Sequence, residues 1–93
     1  MSVERFIKGD DMSLENLIRY HFGDGSEVTA SWSEAPRDCN YIYFFKGAYV
    51  FLKVKDEGLW ELVNIEFHDW DQITNPIRIS EIMKNAYPRP VGV

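Results

Sequence analysis

A chain of 93 residues bounds one domain with a modest core. With 45% hydrophobic and 15% aromatic residues it lies outside the disordered class, and its single cysteine, Cys39, excludes an internal disulfide framework. The formal net charge of −5 argues against a protein that mainly grips phosphate backbones, because that work needs clustered Lys and Arg.

The first residues, MSVERFIKGDD, hold no apolar run of the signal-peptide kind. No run in the chain approaches the roughly 20 apolar residues that span a bilayer, so no membrane role and a cytoplasmic setting are expected. Residues 3–8 suit a short strand. Residues 12–22 read as a helix: Leu14, Leu17, Ile18 and Phe22 form one apolar stripe, Ser13 and the acids before it suit the start, and Gly23 suits the end. Residues 26–33 alternate, with Val28, Ala30 and Trp32 on one side, and predict a half-buried strand broken by Pro36.

Residues 40–67 hold three β-branched and aromatic runs, NYIYFF, AYVFLKV and LWELVNIEF, separated by KG and DEG. Three-residue hairpin loops, with Gly58 in the left-handed position of the second, set Ile42 opposite Val50 and Lys53 opposite Glu61. One sheet face then carries Ile42, Phe44, Ala48, Val50, Leu52, Val54, Trp60 and Leu62. The other carries Tyr41, Tyr43, Tyr49, Phe51, Val63, Ile65 and Phe67, and a one-residue slip would exchange the two sets. Asn75-Pro76 predicts a helix start, Ile79, Ile82, Met83 and Ala86 its apolar stripe over residues 77–87, and residues 88–93 a tail. The expected fold is α+β, spanning residues 1–93 as a single domain. A four-stranded antiparallel β-meander packs against an N-terminal and a C-terminal helix in a two-layer sandwich.

The chemistry concentrates in EFHDWDQ, residues 66–72. Glu66 and His68 at a strand end, with Asp69 and Asp71 in the turn that follows, suggest a metal or a catalytic centre on His68, but no HExxH, paired cysteine or EF-hand spacing accompanies them. Cys39, His68 and Asp69 form a conceivable triad without any local signature for an activated thiolate. Neither catalytic residues nor a cofactor or metal are therefore expected. The segment KGAYVFLKV, Lys46–Val54, resembles the aromatic base-stacking strand of RNA-recognition modules. That resemblance implies a single-strand RNA-binding surface on Tyr49 and Phe51. The segment is one residue short of the pattern, lacks the β-α-β order around it, and belongs to an acidic chain.

Charge is unevenly placed. Residues 40–55 hold Lys46, Lys53 and Lys55 and no acid, whereas residues 56–71 hold six acids and no base. An acidic face steers basic partners, and Trp and Tyr are enriched among interface anchors. The expected function is stoichiometric inhibition of another protein with a basic surface, such as a nuclease or a nucleic-acid-binding protein. Immunity proteins, antitoxins and phage-encoded blockers of host machinery are of this class. Glu61, Glu66, Asp69 and Asp71 are the candidate charges and Tyr49, Trp60 and Trp70 the candidate aromatic anchors. An open aromatic face could instead be covered by a second copy in a homodimer.

Overall fold

The computed structural model describes residues 16–93, so the expected strand at residues 3–8 and the first four residues of the expected helix 12–22 lie outside the described residues. From Leu17 to His21 the expected helix is replaced by a strand. Strand β1 (Leu17–His21) pairs antiparallel with β2 (Glu27–Ser31), Tyr20 facing Val28 and Ile18 facing Ala30. The helical stripe expected here fails because Ile18, Tyr20 and Phe22 also satisfy a period of two, and they turn inward while Leu17, Arg19 and His21 stay exposed. Gly23-Asp24-Gly25 is a hairpin turn and not a helix end. The Asp24 carboxylate accepts from the Ser26 backbone N–H at 2.9 Å and from its hydroxyl at 2.7 Å, and Gly25 has φ +93°. These hydrogen bonds hold the Asp24 carboxyl below its ordinary pKa.

After β2 the chain makes one 3₁₀ turn (Trp32–Glu34), capped by Ser31, whose hydroxyl accepts from the Ser33 N–H. It then returns as β3 (Tyr41–Phe45), β4 (Ala48–Lys55), β5 (Gly58–Asn64) and β6 (Asp69–Ile73). Helix α1 (Pro76–Asn85) follows, with the Asn75 side chain capping the N–H groups of Ile77 and Arg78, as its sequence predicts. The residues after it are not a loose tail. Tyr87–Pro88, β7, pairs with β3, and the Arg89 guanidinium donates to the carbonyls of Pro36, Cys39 and Val93. The sheet is antiparallel throughout, in the order β6-β5-β4-β3-β7.

The four-stranded meander between two helices is therefore not what forms. The described residues make a five-stranded sheet, a separate two-stranded sheet and a single α-helix, which is a mostly β molecule. Both tight hairpins use two-residue turns where three were expected. Lys46 and Gly47 have φ of 51° and 77°, and Asp56 and Glu57 have φ of 55° and 61°. Positive φ at both central residues is the type I′ geometry that matches strand twist. Each turn shifts its register by one, so Ile42 faces Phe51, Leu52 faces Glu61 and Lys53 faces Trp60. The expected faces are exchanged accordingly on β4.

One sheet face now carries Ile42, Phe44, Phe51, Leu62 and Trp70. The β1–β2 hairpin, Trp32 and Cys39 cover it, and Tyr20 lies stacked on Phe44 at 4.7 Å between ring centroids. The other face carries Leu52, Leu59 and Ile73, on which α1 packs through Ile79, Ile82 and Ala86. Helix, sheet and hairpin thus form three layers with a core on each side of the central sheet. Fully burying side chains such as Ile42, Leu52 and Ile82 contributes about 1.5–3 kcal/mol each. No helix among the described residues is long and apolar enough to cross a membrane.

Candidate functional site

The segment 66–72 closes the β5–β6 hairpin and runs into β6, which is a strand and not the turn expected for Asp69 and Asp71. Its pairing sets Glu61 opposite Asp71 and Leu62 opposite Trp70, with an irregularity at Val63 before Asn64 meets Asp69. The Asn64 side-chain carbonyl accepts from the N–H groups of Glu66 and Phe67 at 3.0 and 3.2 Å and bends the chain. His68 completes the turn at φ +54°, a conformation that His, Asn and Asp adopt more readily than other non-glycine residues.

This turn stops the alternation of LVNIEF from continuing as sheet. Val63, Ile65 and Phe67, expected on the aromatic sheet face, instead stand at the hairpin end, 55, 51 and 70% exposed. The signal for them in the sequence is Asn64, a turn-forming residue inside a run that otherwise reads as strand.

The seven candidate contact residues are divided by the sheet. Tyr49, Trp60 and Trp70 lie on the hairpin-covered face and are half-buried. Tyr49 packs against Phe51 and Phe44, and its hydroxyl sits 3.5 Å from Glu34. Burial, with the Glu34 charge second, raises its pKa. Trp60 donates its indole N–H to the Lys55 carbonyl at 3.3 Å. Trp70 packs against the core, and the Lys53 ammonium lies 4.5 Å from its ring centroid while pairing with Asp38 at 3.3 Å.

Glu61 and Asp71 lie on the helix-covered face. Glu61 does not meet Lys53. It binds Arg78 of α1 through two contacts, at 3.1 and 3.3 Å, so its charge joins helix to sheet. Among the described residues, Glu66, Asp69 and Asp71 make no ion pair.

Among the described residues, no three of His, Cys, Asp and Glu converge on a point. His68 is exposed at a hairpin end and His21 lies beside Glu27 on the other hairpin. Cys39 is enclosed in the core, 1% exposed, with its thiol directed at the Tyr41 carbonyl. Burial pushes that thiol above its ordinary pKa, the opposite of an activated thiolate. The RNA-like strand is covered too: Phe51 is buried and Tyr49 half-buried under the same layer. No family model, no curated protein and no solved structure matches this chain.

Proposed function

We propose that the protein is a stoichiometric binder of another protein, of the immunity-protein, antitoxin or phage-blocker class, and that the β5–β6 hairpin is its contact element. The observation that carries this reading is the hairpin end itself. Three apolar side chains, Val63, Ile65 and Phe67, are exposed within five residues. They stand next to the carboxylates Glu66, Asp69 and Asp71, for which the described residues offer no ion partner. An apolar centre with a charged rim is the usual anatomy of a protein contact, and a rim of one sign favours a basic partner. Basic surfaces that normally hold phosphate fit such a rim, which supports a nuclease or nucleic-acid-binding protein as the target. Trp70 and Trp60 then serve as packing beneath the hairpin, and Glu61 as its tie to α1.

The test is affinity capture from the native cell with three forms of the protein: wild type, Ile65→Ser/Phe67→Ser, and Glu66→Lys/Asp69→Lys/Asp71→Lys. All the altered side chains are exposed, so each form should fold, as circular dichroism would check. Wild type should retain one partner at 1:1 stoichiometry, and each variant should weaken that complex at least tenfold. A partner held equally by all three forms sinks the hairpin as the contact element.

A further inference from the structure

The two edges of the large sheet are unlike. At one end lies β7, two residues long and ending in Pro88, which has no N–H to offer. At the other lies β6, five residues of DWDQI without proline or lysine, and no described strand pairs with its outer side. An open edge of this kind presents a row of backbone donors and acceptors, and natural sheets either blunt such edges or use them to add a strand. We propose that β6 is a strand-addition site, and that its occupant is an extended segment of the partner protein with Lys or Arg at alternate positions. This inference rests on the protein-binding reading above and specifies its mode.

The residue types on β6 select the occupant. Asp69 and Asp71 point to the helix side of the sheet, Trp70 and Gln72 to the hairpin side. A strand laid against β6 brings every second side chain beside Asp69 and Asp71, where a cation is favoured and a carboxylate rejected. The Arg78 charge is already engaged by Glu61, so it does not neutralise this row. The intervening side chains of the added strand lie beside Trp70, whose ring suits an aliphatic or β-branched neighbour. The same charges reject a second copy. Antiparallel pairing of β6 with itself over its full length places Asp71 opposite Asp71 and sets the two acidic rows together. The exposed Ile65 and Phe67 lie where the added strand leaves the edge, and extend the contact beyond the backbone ladder.

The probe is a blocked nonapeptide in which Lys alternates with Val, compared with the same peptide carrying Glu for Lys. Two further Lys peptides are N-methylated at every Val or at every Lys, which removes the donors of one strand edge or the other. Hydrogen exchange at the amides of β6 is the readout. The Lys peptide should slow exchange of the outward-directed β6 amides at least tenfold at saturation, and the Glu peptide should not. One N-methylated series should bind and the other should fail. The Asp69→Lys/Asp71→Lys variant should reverse the preference toward the Glu peptide.

Unchanged exchange at millimolar Lys peptide, or equal binding of both N-methylated series, would overturn strand addition. So would slow exchange of these amides in the dilute free protein, or slowing with protein concentration alone, which marks self-pairing. Loss of peptide binding alongside an intact, acid-dependent complex with the captured partner leaves the hairpin reading standing and removes only its mode. Loss of both removes both.

Discussion

Single side chains divide here into those that hold the molecule and those left over. Arg78 meets Glu61 on the helix-covered face, where Asp71 is the cross-strand neighbour of Glu61. Removing the guanidinium leaves two like charges opposite each other, so Arg78→Ala should cost more than Glu61→Gln. The pair is partly exposed, and about 0.5–1 kcal/mol is the expected loss for Arg78→Ala in urea unfolding, against a smaller loss for Glu61→Gln. Cys39 gives a pH signature. Its folded thiol is held above the ordinary value by burial, so above about pH 8.5 the unfolded chain releases a proton that the folded chain keeps. Stability should therefore be full below that pH and fall as pH rises through it, and Cys39→Ala should flatten the fall. Tyr43 and Tyr49, whose burial acts in the same direction, extend the decline only at about pH 10 and above.

At the scale of elements, the turns decide which residues meet. Asp56 and Glu57 occupy two successive left-handed positions, which cost a residue with a Cβ about 1–2 kcal/mol each. Replacing Asp56-Glu57 with Asn-Gly should raise stability by about 1 kcal/mol without altering the register, as thermal unfolding and the Leu52–Glu61 cross-strand contact would report. The strands β2 to β5 and the capped helix were legible in the sequence because β-branched runs and the Asn-Pro start have few competing meanings. The registers were not, because DEG supports a three-residue loop on Gly58 and a two-residue turn on Asp56-Glu57 about equally well on paper. β1 reads as a helix because Ile18 and Phe22, four apart, fit both periods, and Leu17, which fits only the helical one, tips the balance. Residues 69–73 read as a turn because an edge strand needs few apolar residues, and only Trp70 and Ile73 declare it. The same ambiguity hid the exposed hairpin end, since Val63, Ile65 and Phe67 alternate as if the sheet continued through Asn64.

For the whole molecule, the three layers settle what surface remains. The aromatic face that sequence composition offered as open is occupied by the β1–β2 hairpin, and α1 occupies the other face. Among the surfaces that the described layers leave bare, the β5–β6 end and the β6 edge combine an apolar tip with an acidic side. In the proposed function this hairpin docks a basic partner with electrostatic help. The most direct test is the association rate of the captured partner as a function of salt, for wild type and for Glu66→Lys/Asp69→Lys/Asp71→Lys. Wild type should associate about tenfold or more faster at low salt than at high salt, and the variant should be slow with little salt dependence. Equal rates and equal salt dependence for the two proteins would rule out the acidic hairpin as the docking element.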